Sequence, residues 1–179
     1  MQDAAFRRGF AWLERHGLSF DAWLYHTQLD QVLDLARAFP GVPIVINHAG
    51  GPLGSGRYRG RRDEIFPAWR AGMQALAACP NVHVKLGGLA MVVNGFNFHE
   101  NLLPPSSGEL AAAWRPWMEA CIEDFGVQRC MFESNFPVDK GMCAYPVLWN
   151  AFKRIASGAT ASEKAALFHD TAQRFYRLG

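Results

Sequence analysis

The stretch Met131-Phe132-Glu133-Ser134-Asn135-Phe136-Pro137-Val138-Asp139 decides the fold. Residues Arg129 to Glu133 follow a helix end at Phe125-Gly126 and alternate too little to be half-solvated, so they read as a buried strand. That strand stops at Ser134-Asn135, because Pro137 cannot serve a continuing central strand. A carboxylate, Glu133, and an amide, Asn135, therefore stand at its C-terminal tip.

The same pattern runs backwards through the chain. Val82-His83-Val84-Lys85-Leu86 is a strand opened by Pro80-Asn81 and closed by Gly87-Gly88. Pro43-Ile44-Val45-Ile46-Asn47-His48 is a continuous apolar strand that ends in a histidine. Phe20 to Tyr25 is a short aromatic and apolar run that leads to His26. Between the strands, apolar residues at helical spacing predict helices over Gln28–Phe39, Asp63–Ala78 with Asp63 as cap, and from Ser106 or Ser107 to Phe125. A helix over Asp3–His16, ended by Gly17, precedes them, and helices over Tyr145–Ala156 and Ser162–Leu178 follow. Strands alternating with helices predict an α/β chain whose sheet is parallel, with every strand's C-terminal end on one side. The tips on that side are His26, His48, the Lys85-Leu86-Gly87-Gly88 exit and Ser134-Asn135. Gly87-Gly88 also opens a long loop through Asn94, Asn97, His99 and Glu100 to Pro104-Pro105, of a length that is often functional.

With 50% apolar residues, 13% aromatics and a net charge of +2, residues 1–179 read as a single soluble domain. The balanced charge argues against a nucleic-acid or membrane surface. Cys79, Cys121, Cys130 and Cys143 show no C-x-x-C spacing and read as buried free thiols, which points to a reducing compartment. With no apolar leader at the N-terminus and no apolar run of membrane length, the cytoplasm is the expected location.

Several residues invite a chemical role. His48 ends an apolar run before two glycines and a proline, where packing gives little reason for an imidazole. His26 admits a surface alternative. His83 and Lys85 share one strand face, as do Met131, Glu133 and Asn135. A buried lysine needs a partner, so Lys85 and Glu133 form either a rim salt bridge or a buried pair across neighbouring strands. Glu133 lies about 6.6 Å below Asn135 by the strand rise, which predicts that it neutralises Lys85 rather than reaching a water held by histidines at the rim. Asp139 reads as a capping or surface carboxylate, or as an alternative acid. Arg57, Arg59, Arg61 and Arg62 form either a solvated face or a clamp for a carboxylated substrate. The glycines at 50, 51, 54 and 56 match neither phosphate-binding pattern, which excludes a nucleotide loop.

Three segments, Asn47-His48-Ala49-Gly50-Gly51-Pro52, Asn81-Val82-His83-Val84-Lys85-Leu86-Gly87-Gly88-Leu89 and Arg129-Cys130-Met131-Phe132-Glu133-Ser134-Asn135-Phe136-Pro137, together resemble the amidohydrolase-related TIM-barrel hydrolases. That branch includes sugar and aromatic-acid lactonases and, more distantly, metal-dependent decarboxylases. The resemblance is to the C-terminal half of the barrel and implies strands five to eight. It implies a catalytic set of His48, His26, Asn135 and Glu133, with His26 and His48 as metal ligands and Lys85, Arg57 and Arg59 binding substrate. A divalent metal such as zinc suits the two imidazoles, though they are too few to close a site, and a metal-independent site is the alternative.

Two departures from the family matter. Strand eight normally ends in an aspartate, whereas here Asn135 stands there and cannot titrate, so Glu133, Asp139 or a group outside the chain must serve as base. No His-x-His pair occurs, and such a barrel usually takes about 250 residues. The expectation is an incomplete barrel lacking its N-terminal half, from truncation or a late start at Met1, that pairs as a homo-oligomer or with the missing half. The expected reaction is hydrolysis of a lactone or ester of a small carboxylated or sugar-derived substrate. The alternatives are a nonoxidative decarboxylase and an inactive half-barrel that needs a partner.

Overall fold

A computed structural model describes residues 1–179, and its sheet has four parallel strands in the order β1-β2-β3-β4. The strands are β1 (Phe20–Ala22), β2 (Ile44–Ile46), β3 (Val82–Leu86) and β4 (Cys130–Phe132). Helix α1 (Ala4–Arg15) precedes β1, and α2 (Leu29–Ala38), α3 (Arg62–Ala77) and α4 (Ser107–Phe125) connect successive strands. Three regular crossovers explain the parallel pairing, which runs in one register from Ile44 opposite Phe20 and Val82 to Leu86 opposite Phe132.

Strand alternation sends Ile44, Ile46, Val82, Val84, Leu86, Cys130 and Phe132 into one large core against the helices. Their intervening neighbours Val45 and Met131 face the other way and meet Phe175 in a second, small cluster. That opposite face carries Asp21, His83 and Lys85 between the apolar residues.

Side chains fasten the bottom of the sheet. The Asn81 amide donates to the carbonyls of Ala36, in the last turn of α2, and of Phe39 and Val42 just beyond it, and the Arg129 guanidinium donates to those of Ala77, Cys79, Val82 and Phe125. Carbonyls left unpaired at the ends of α2, α3 and α4 are thereby satisfied. At its other end α4 starts in a capping box, Ser106 with Glu109. The α3 cap differs from expectation: Arg61 occupies the cap and Asp63 lies in the first turn, where its charge still favours the helix N-terminus.

After β4 come α5 (Tyr145–Ile155) and a final segment that is not one helix but α6 (Ala161–Ala165), a π turn (Ala166–Asp170) and α7 (Thr171–Tyr176). The break brings Phe175 and Tyr176 onto the polar face of the sheet. All four cysteines are buried and free, as expected. No helix is long and apolar enough to cross a membrane.

Candidate active site

Beyond β2 the chain turns left-handed, with His48 at φ 55° and Ala49 at φ 49°, followed by Gly50 and Gly51 at positive φ. For His48 and Ala49 this conformation costs about 1–2 kcal/mol each, so surrounding contacts must hold it. Two do. The Trp69 indole N–H of α3 donates to the Ala49 carbonyl at 2.7 Å, and one oxygen of Glu133, Oε1, accepts the His48 backbone N–H at 3.1 Å. The same Oε1 lies 2.5 Å from His48 Nδ1.

Glu133 thus grips His48 twice with a single oxygen, joining the tips of β2 and β4 across the end of β3. The pair is largely buried, with side-chain exposures of 14% and 17%. Its space is provided by Gly87 and Gly88. A Cβ on Gly87 would strike Glu133, and one on Gly88, whose φ is +67°, would strike the imidazole of His48. Trp23, just past β1, closes the other side with its ring 4.5 Å from His48, edge to face.

Asn135 follows at φ 50° and directs its amide N–H to Oδ1 of Asp139 at 2.8 Å. Asp139 sits in the turn Val138–Gly141 and is fully buried, and its other oxygen, Oδ2, has no hydrogen-bond partner. Burial pushes this carboxyl up to about 7, with Glu133 adding to the effect and the Asn135 amide and nearby His48 opposing it. The fold thus isolates an ionisable group poised near neutrality beside a histidine–carboxylate pair. A cavity of about 720 Å³ is lined by Phe136 and Lys140, the chain neighbours of Asn135 and Asp139, with Phe98, His99, Met142 and Tyr145, while His48, Glu133, Asn135 and Asp139 themselves stay outside its lining.

The structure brings His48, Glu133 and Asn135 together and adds Asp139, Trp23, Gly87 and Gly88. The expectation that Glu133 lies too deep to reach a water held by the rim histidines is corrected: β4 ends at Phe132 and Glu133 Oε1 contacts His48 itself. Lys85 holds its ammonium 2.6 Å from Asp21 and 3.8 Å from Glu133. Arg57 lies against the Tyr58 ring and donates to its hydroxyl, and Arg59 pairs with Glu100 at 3.1 Å, both on the exposed surface. Both guanidinium groups stand on the solvated surface. Arg62 alone turns inward, over the Phe96 ring at 3.7 Å. His26 Nδ1 accepts the Leu53 N–H at 3.1 Å, so this imidazole pins the glycine-rich loop, and its burial lowers its pKa.

A family model described as amidohydrolase matches residues 1–178. The chain belongs to the amidohydrolase family. Among amidohydrolase relatives, the L-fucono-1,5-lactonase of Burkholderia multivorans is 31% identical over 179 residues, which cover 99% of this chain and 57% of that protein. An uncharacterized protein of Sinorhizobium fredii is 42% identical over 172 residues, 96% of this chain and 51% of that protein. A crystal structure of an amidohydrolase from Burkholderia multivorans with bound zinc superposes with a TM-score of 0.85 at 30% identity, over 99% of this chain and 58% of that one. The four-stranded sheet is accordingly consistent with part of a TIM-barrel amidohydrolase fold, and the chain spans somewhat over half the length of the relatives it matches.

Zinc in that neighbour raises the question of a metal here. No three His, Cys, Asp or Glu side chains of this chain converge, and His26 Nδ1 already accepts the Leu53 N–H, while His48 keeps Nε2 free. Two imidazoles do not make a site that normally needs three or four protein ligands. The residues present do not by themselves fit a bound zinc ion.

Proposed function

We propose that the chain supplies strands five to eight of an amidohydrolase barrel and carries the water-activating half of a hydrolase site for a lactone or ester. The observation that carries this proposal is the buried Asp139 carboxyl, with one oxygen fixed by Asn135 and the other unpartnered, beside the His48–Glu133 pair.

In the proposed reaction, the free oxygen of ionised Asp139 accepts a proton from water as the water oxygen bonds to the carbonyl carbon. The carbonyl π electrons move to oxygen. Collapse of the tetrahedral intermediate breaks the bond to the leaving alkoxide, which takes the proton back from Asp139, so the carboxylate is regenerated. His48, with Nδ1 committed to Glu133, keeps Nε2 for the substrate oxygens. Trp23 shields the imidazole, and the cavity lined by Phe136, Lys140 and Tyr145 accommodates the substrate's less polar part. The lactonase relative favours a lactone over an open ester as the substrate.

The test is hydrolysis of a panel of aldonolactones and carboxylated aromatic lactones. It uses the chain alone and the chain fused behind the barrel-completing half of the Burkholderia multivorans lactonase. The proposal expects lactone opening that Asp139→Asn abolishes. Carbon dioxide release from aromatic acids, with no lactone opening, would favour the decarboxylase alternative.

A further inference from the structure

The polar face of the sheet holds a chain of contacts that the proposed reaction leaves unused. Tyr176 of α7 donates its hydroxyl to Asp21 of β1 at 2.9 Å. Asp21 accepts from the Lys85 ammonium of β3 at 2.6 Å, and that ammonium lies 5.4 Å from the Tyr176 ring centroid. On its far side the ammonium is 3.8 Å from Glu133 Oε2, while Glu133 gives its other oxygen, Oε1, to His48. Burial works against the lysine charge, yet Asp21, Tyr176 and Glu133 together hold its pKa above the ordinary lysine value.

We infer that Lys85 is a positioning residue that sorts the two oxygens of Glu133, holding Oε2 so that Oε1 is left for both His48 contacts, and that Asp21 and Tyr176 hold it there. The geometry supports the division of labour, since a carboxylate free to rotate would offer His48 either oxygen and would anchor the left-handed turn poorly. The network also assigns a task to the C-terminal helix, because Tyr176 braces the cation from a segment more than ninety residues away in sequence. With Nδ1–H held by Glu133, the imidazole keeps one defined tautomer, as histidines oriented by a carboxylate do. The inference rests on the proposed function only for its catalytic consequence.

The experiment is long-range ¹H–¹⁵N imidazole NMR on the 179-residue chain, with His48 assigned by loss of its signals in His48→Gln. The parent chain is expected to show His48 protonated at Nδ1, with its proton shifted to low field by the hydrogen bond to Glu133. In Lys85→Met that low-field signal should be lost and the two tautomers should mix, whereas Lys85→Arg should restore the parent spectrum. Should Lys85→Met fail to fold, Tyr176→Phe reads the same network through its outer member and should weaken the signal in part. An unchanged His48 spectrum in folded Lys85→Met, or in Tyr176→Phe where that variant stands in, overturns the inference. If the spectrum changes as expected but lactone hydrolysis is absent in parent and variants alike, the positioning role stands and the proposed function falls.

Discussion

Glu133 Oε1 accepts from both the backbone N–H and the ring nitrogen Nδ1 of His48, at 3.1 and 2.5 Å. The residues are 85 positions apart, and this double contact fixes where the tips of β2 and β4 stand relative to one another. It also changes the expected cost of altering Glu133. Lys85 retains Asp21 at 2.6 Å when Glu133 is neutralised, so no bare cation is stranded. Glu133→Gln should therefore lose only about 1 kcal/mol of stability, by calorimetry. Its turnover of lactone should fall by ~10–100-fold, in the range that losing the partner of a working histidine costs.

The two glycines that make room for this pair allow a controlled comparison. Gly88→Ala places a methyl group against the imidazole at a positive φ, whereas Gly56→Ala, also at positive φ, meets nothing within 4 Å. Both should lose about 1 kcal/mol or more from backbone strain. Only Gly88→Ala should lose activity as well, a difference seen by pairing thermal melts with lactone turnover.

Asp139 should give the fold an unusual pH dependence. Its folded-state pKa is raised from 3.8 to about 7, so between those values the folded chain holds a proton that the unfolded chain has released. Stability should accordingly fall as pH rises from about 4 to about 7 and then level off, by an amount on the order of a few kcal/mol. Asp139→Asn removes the ionisable group. Urea unfolding should find variant and parent similar near pH 4 and the variant more stable near pH 8.

Strands β1 and β4 are the edges of the sheet, and Trp23 and Tyr25 lie exposed just past β1. Open edges beside apolar side chains favour association. Light scattering on the 179-residue chain should show a mass that grows with concentration. Fusion to the barrel-completing half should suppress that growth.

The fold could be read from the sequence wherever one local signal ruled. Val82–Leu86 was bounded on both sides by turn residues and matches β3 residue for residue, and α4 matched because Ser106 with Glu109 and Gly126 mark its two ends. The strand expected over Phe20–Tyr25 stops at Ala22, because the His26 N–H pairs with the Gly51 carbonyl and draws the segment toward the glycine-rich loop. At the site, His48 was found because an apolar strand ending in an imidazole has no packing reason. Asp139 was underrated because its burial depends on a turn that folds back over β4, which composition does not disclose. The Asn-x-x-x-Asp spacing that lets Asn135 hold Asp139 was the available signal. Asp21 and Tyr176 went unnoticed because their contact spans 155 positions. The pairing of Arg59 with Glu100 spans 41 positions, which sequence spacing does not disclose.

The central claim is that Asp139, held by Asn135 beside the His48–Glu133 pair, activates water for lactone opening. The most direct test is the pH dependence of kcat/KM for the best lactone of the panel, in the parent fusion and in its Asp139→Asn variant. A base must be ionised to act, so the parent rate should rise with pH through a midpoint near 7, following the raised Asp139 pKa. In Asp139→Asn that limb should vanish along with nearly all of the activity. A variant that keeps the parent rate and the same rising limb would contradict the account.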